Sequence, residues 1–141
     1  MAVEQSIVDF FHLYASRFSS GDVAGITALW RFPALITAGA RSVAFEDEES
    51  FAKNTVALCN FYDGQGVTRA EKTVLSADEH YPGVTTARTG DRLYGSDGSL
   101  IIEWEHVYLL RREGSHWKTM VAVADGEATA WEARGTPLGS Q

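Results

Sequence analysis

Cysteine, proline and clustered positive charge are all scarce in this chain of 141 residues, and two of these scarcities exclude whole classes of function. Cys59 stands alone, so no disulfide closes within the chain, a usage that fits a reducing compartment. It reads as a small buried hydrophobe on a helix rather than as a reactive thiol. Lys and Arg number 12 against 19 Asp and Glu, for a formal net charge of −7, and the basic residues are scattered. Polyanion binding rests on grouped cations that displace counterions, so nucleic acid is not an expected partner. No apolar run approaches the ~20 residues that cross a bilayer. The opening MAVEQSIVDFF carries an acid where a secretory leader needs positive charge. No membrane partner is expected, and the expected location is cytoplasmic. His12, His80, His106 and His116 are far apart, with no two-His helical spacing and no second Cys, so no metal site is read. No glycine loop leads from a strand into a helix to cradle phosphate, and no cofactor is expected.

What is present is a globular composition, 45% apolar and 22% charged, with four Trp, five Tyr and seven Phe. That aromatic supply exceeds what one small core needs, which points to rings lining a cavity or an interface. Val3, Ile7, Phe10, Phe11, Tyr14 and Phe18 recur at three- and four-residue spacing and describe one face of a first helix. Ser19, Ser20 and Gly21 break it, and Asp22 is placed to cap a second helix. Val23, Ile26, Leu29 and Trp30 form that helix's apolar face, with Pro33 closing it. Short strands are expected at 34–38 and 42–45. Asp47, Glu48 and Glu49 open a third helix, where acids suit the positive end of the macrodipole, and Phe51, Val56, Leu58, Cys59 and Tyr62 run along it.

Beyond Gly66 the texture turns to long strands at 68–80, 85–94, 99–111 and 116–124, rich in β-branched and aromatic residues and separated by credible hairpin turns. From residue 129 periodicity is lost. The expected organisation is one domain over 1–128 and a loose tail over 129–141.

Strand parity assigns the faces. Along the third long strand, Ile102, Trp104, His106, Tyr108 and Leu110 share one bulky, mainly apolar face, which is assigned to the interior. A turn at Glu113 and Gly114 sets Leu110 opposite Trp117, Tyr108 opposite Thr119, His106 opposite Val121 and Trp104 opposite Val123. Asp91 and Leu93 join the interior face. Arg88 and Arg92 share the outer face with Glu103 and Glu105, a sensible solvated arrangement.

The order of helix, helix, two short strands, helix and four long strands resembles the nuclear transport factor 2-like superfamily, which includes ketosteroid isomerases and SnoaL-like polyketide cyclases. The stretch LYASRFSSGDVAGITALW at 13–30 resembles that superfamily's helix end, Gly-Asp turn and second helix. The stretch YLLRREGSHWKTMVAV at 108–123 resembles its final hairpin. The resemblance implies an α+β fold: a cone-shaped, curved antiparallel sheet with three helices from the N-terminal half packed over it, a hollow open at one end, and a homodimer. Such folds host isomerases, cyclases, dehydratases and non-catalytic binders, so function rests on the site.

Within that frame His106, Asp91 and Tyr14 are the candidate catalytic groups. A carboxylate beside an imidazole raises its basicity, and a tyrosine hydroxyl can donate to a developing oxyanion. Trp30, Trp104, Tyr108, Val121 and Val123 are the candidate ligand-lining residues. Tyr14 matches the ketosteroid isomerase tyrosine, but the first strand reads Leu35, Ile36, Thr37, Ala38, Gly39, without the carboxylate base. Alignment with that family would bring Glu105 to its second acid, whereas parity turns Glu105 outward. Three readings result: a pocket protein for a small apolar or carbonyl-containing molecule, an isomerase, dehydratase or cyclase using His106 with Asp91, and a homodimeric interaction module.

Overall fold

A computed structural model describes residues 3–39 and 41–138. The first helix, α1 (Gln5–Ser19), buries Ile7, Phe10, Phe11, Tyr14 and Ala15, the stripe its spacing predicts. Gly21, at φ +67°, turns the chain. The Asp22 carboxylate then caps α2 (Val23–Thr27) by accepting from the Gly25 amide at 2.9 Å.

This second helix is shorter than expected. Trp30 is not on it but begins β1 (Trp30–Ala38), and Pro33 sits inside that strand rather than ending a helix. Proline cannot donate to a ladder, and the register of β1 against its neighbour shifts between Trp30 and Leu35, around that position. A second strand, β2 (Arg41–Phe45), returns beside β1, and α3 (Glu48–Gly64) follows, capped by Asp47 accepting from the Ser50 amide at 2.9 Å. Its buried side chains are Phe51, Thr55, Phe61 and Tyr62, whereas Val56 faces solvent.

Four long strands complete the sheet: β3 (Val67–Tyr81), β4 (Val84–Gly95), β5 (Leu100–Glu113) and β6 (His116–Val123). The spatial order is β2-β1-β6-β5-β4-β3, antiparallel throughout except for the parallel pair β1–β6. The sheet is curved and unclosed, and helices pack on it, an α+β fold. The outer face carries Arg88–Glu105 and Arg92–Glu103 pairs, each at 3.3 Å, as parity requires. Glu105 therefore points outward, which decides between the burial and alignment arguments in favour of burial.

Two expectations are corrected here. The β5–β6 register shifts between Leu109 and Leu110: Leu110 faces Thr119, Leu109 faces Val121, Tyr108 faces Ala122 and Val107 faces Val123. The extra residue, Met120, reverses the alternation of β6, so the buried positions run Trp117, Thr119, then Ala122 and Ala124. Val121 and Val123 consequently lie on the outer face.

The expected tail from 129 is also revised, because α4 (Asp125–Ala133) continues past it and Trp131 is fully buried against Phe61 and Tyr62. Residues 139–141 of that expected tail lie outside the described residues. A Cβ at Gly126 would come within 2.4 Å of the Glu105 carbonyl oxygen, so only glycine lets the first turn of α4 rest on β5.

Candidate functional site

Between the concave face of the sheet and helices α1, α3 and α4 lies a cavity of about 350 Å³. Its walls are mainly aromatic and aliphatic. Tyr14, Trp30, Asp91, Trp104, His106 and Tyr108 all line it, whereas Val121 and Val123 do not; Ala122 and Ala124 take their place. Cys59 does not line this cavity, and burial, with Asp63 nearby, raises its thiol above the ordinary value.

Arg41, Asn54 and Glu71 also line the cavity, at exposed or half-buried positions, and its buried polar groups gather in two places. In the first, β3 and β4 set Lys72 directly opposite Asp91. The Lys72 ammonium is bonded to Asp91 Oδ2, and it also donates to the Tyr108 hydroxyl at 2.6 Å. Thr89 donates to Asp91 Oδ1 at 2.6 Å. The same ammonium lies 4.9 Å from the Tyr14 ring centre and 5.0 Å from that of Tyr108, within the range of cation–π attraction. Tyr14 accepts from Trp30 Nε1 at 2.9 Å and hydrogen-bonds Tyr108. Burial above all holds the hydroxyls of Tyr14 and Tyr108 well above their usual range, so both remain protonated donors.

The second group joins β5 to α4. His106 Nδ1 accepts from Trp104 Nε1 at 2.5 Å and lies 3.6 Å from Asp91 Oδ2. Both oxygens of Asp91 are already engaged by Lys72 and Thr89, so Trp104 rather than Asp91 orients the imidazole. With Nδ1 an acceptor, the ring proton resides on Nε2, which faces Glu127 Oε1 at 3.9 Å. Burial, reinforced by the Lys72 charge and opposed by Asp91, pushes the His106 pKa down to about 3. The ring is neutral at physiological pH, a donor rather than a strong base.

Glu127 Oε2 accepts from Trp131 Nε1 at 3.2 Å and from the Tyr62 hydroxyl. Burial pushes the Glu127 carboxyl up to about 7, opposed by those two bonds and by the Lys72 charge. Neither Lys72 nor Glu127 emerges from the sequence reading. Lys72 had a usable signal, since the hairpin between β3 and β4 brings it near Asp91 and an opposite charge there asks for a partner. For Glu127 the signal is Trp131 one helical turn later, an aromatic in an otherwise polar stretch.

Among the described residues no helix is long and apolar enough to cross a membrane, and no group of three or more His, Cys, Asp or Glu could hold a metal ion.

A curved sheet closed by helices around a ligand-sized hollow is the architecture of the NTF2-like class. The chain belongs to a family within it, described as NTF2-like protein (DUF6841), which matches residues 4–127. Solved structures agree in fold. An NTF-2 like protein of unknown function from Shewanella oneidensis MR-1 superposes with a TM-score of 0.67 at 8% identity, over 84% of this chain and 95% of that one. A domain of unknown function with a cystatin-like fold from Nostoc punctiforme gives 0.66 at 12% identity, over 84% and 74%. A ketosteroid isomerase-like protein from Erwinia carotovora atroseptica gives 0.62 at 12% identity, over 86% and 95%. At such identities the likeness is one of fold. No curated protein matches the chain.

Proposed function

We propose that the protein binds a compact, mainly apolar organic molecule inside the cavity, with the two polar groups fixing its orientation. The observation that carries this reading is the hollow itself: about 350 Å³, walled by rings and aliphatic side chains, with a few convergent polar atoms. Ligand sites have this make-up, and their volumes start near ~300 Å³. Titration with 2-naphthol, followed through Trp30 and Trp104 fluorescence, is expected to saturate at one molecule per chain. Leu58→Trp, which places bulk at the cavity wall, should weaken that binding at least tenfold. Absence of saturable binding by neutral aromatics of this size would sink the reading.

One observation favours a second reading, an acid–base enzyme of the isomerase, dehydratase or cyclase type acting on a carbonyl compound. Glu127 is a cavity-lining carboxyl pushed up to about 7, where it can both take and return a proton. In that reading Glu127 moves the proton, His106 donates from Nε2, and Tyr14 with Tyr108 meets the carbonyl oxygen. Solvent deuterium entering the α-carbon of 2-tetralone no faster than in buffer would dispose of it.

A further inference from the structure

We propose that His106 and Glu127 form a hydroxyl-recognition subsite, so that the molecule held in the cavity is an apolar alcohol or phenol. This rests on the pocket reading above and names the chemistry of its ligand.

A hydroxyl is unusual among small uncharged groups in donating and accepting through one atom. The pair offers both counterparts side by side. Trp104 occupies His106 Nδ1, leaving the N–H on Nε2. Tyr62 and Trp131 both donate to Glu127 Oε2, leaving Oε1 as an acceptor without a hydrogen-bond partner among the described residues, on a side chain that is 6% exposed and lines the cavity. Nε2 and Oε1 stand 3.9 Å apart. That gap is too long for a direct hydrogen bond. An oxygen set off the line between them, at about 2.8 Å from each, closes both bonds.

Other functional groups fit less well. An ether or ketone accepts from His106 and leaves Oε1 unmet, and a carboxylate meets the Glu127 oxygen with like charge. Each buried polar atom left unpaired weakens binding, which is how a site selects a hydroxyl over its methyl ether. Lys72 and Asp91 compete little, because Asp91 accepts from both Lys72 and Thr89.

Protonation of Glu127 should abolish the recognition. Oε2 already accepts two hydrogen bonds, so a proton goes to Oε1 and turns the acceptor into a donor. The groups facing this carboxyl are Tyr62 on α3, His106 and Tyr108 on β5, Lys72 on β3 and Asp91 on β4. His106 does not change charge over the relevant range, its pKa being about 3, whereas the Glu127 value of about 7 lies within it.

The test uses 2-naphthol, 2-methoxynaphthalene and naphthalene, titrated calorimetrically against the full chain at about pH 8, above the Glu127 value. The expected result is on the order of a tenfold preference for 2-naphthol over its methyl ether. In Glu127→Gln, the amide oxygen takes over the bonds from Tyr62 and Trp131, and the amide nitrogen presents a donor where Oε1 accepted. The preference should then fall to about twofold or less. Wild-type protein at about pH 5.5 should show the same collapse without any substitution. Equal affinities at the higher pH, or a preference that survives both the substitution and the acid, would overturn the subsite and leave the pocket standing. Failure of all three compounds to bind would overturn the pocket reading and the subsite with it.

Discussion

Ion pairs flank β4 on both faces of the sheet, and the contrast between them shows what burial does to one chemistry. On the outer face Arg88–Glu105 and Arg92–Glu103 meet at 3.3 Å, with side chains between 52% and 57% exposed. On the inner face Lys72 and Asp91 pair across the neighbouring ladder with side chains only 7% and 3% exposed. The outer pairs stay hydrated and screened, so neither charge depends on its partner. The inner charges have lost their water, and each relies on the other together with Thr89, Tyr108 and two aromatic rings. The outer face is therefore interchangeable surface, and the inner pair is a fixed polar feature in an apolar hollow.

The largest expected effect comes from splitting the inner pair. Asp91→Ala leaves the Lys72 charge buried without its counter-ion, which should cost about 3–5 kcal/mol in urea unfolding. The double substitution Lys72→Met with Asp91→Leu removes both charges and should recover most of that loss. A single-variant loss no larger than that of a surface charge would break the comparison, since it would mean that water reaches Lys72.

Glu127 should give a smaller effect, with a distinctive pH dependence. Its pKa rises from 4.5 in the unfolded chain to about 7 in the folded one, so the folded state holds the proton more tightly. The anion is thus a destabilising burden above about 7, and the burden is relieved as pH falls through 7 towards 4.5. Relative to wild type, Glu127→Gln should be more stabilising at about pH 8.5 than at about pH 5, by about 2–3 kcal/mol. His106 contributes the opposite slope, because a ring kept neutral down to about 3 loses stability as pH falls below 6.5. Both proteins share that slope, and it cancels in the difference. A pH-independent difference would show that Glu127 is more hydrated than its position implies.

How far these features could be read from sequence differs by element. The face of α1 is legible because five buried residues keep one helical spacing, the cap at Asp22 because a short acid precedes an apolar run, and the start of α3 because three acids cluster at 47–49. The interior positions of Asp91, His106 and Tyr108 follow from strict alternation along β4 and β5. Alternation fails on β6, where the register shift at Met120 moves Val121 and Val123 outward; an inserted residue leaves no local mark. Pro33 suggests a helix stop, yet Trp30 lies in a strand, because tertiary pairing with β6 outweighs the local pattern. Lys72 goes unseen because lysine is seldom buried, and only a cross-strand partner reveals it. The surplus of aromatic residues points to a cavity or an interface but does not place it, because the cavity arises from the curvature of the whole sheet.

The smallest expected effect tests the other side of the comparison. Arg88→Ala removes half of an exposed pair, and Glu105 left behind is already solvated. The freed glutamate loses a screened attraction and regains side-chain freedom, and these two changes nearly offset each other. The urea midpoint and the affinity for 2-naphthol should both stay within measurement error at ordinary ionic strength. A loss comparable to that of Asp91→Ala would carry a definite meaning: desolvation, not charge, makes an ion pair expensive to split. Such a result would show that the outer face of β4 and β5 is itself covered in solution. A second copy of the chain, recognised by a mass that doubles with concentration, would then be the first occupant to test.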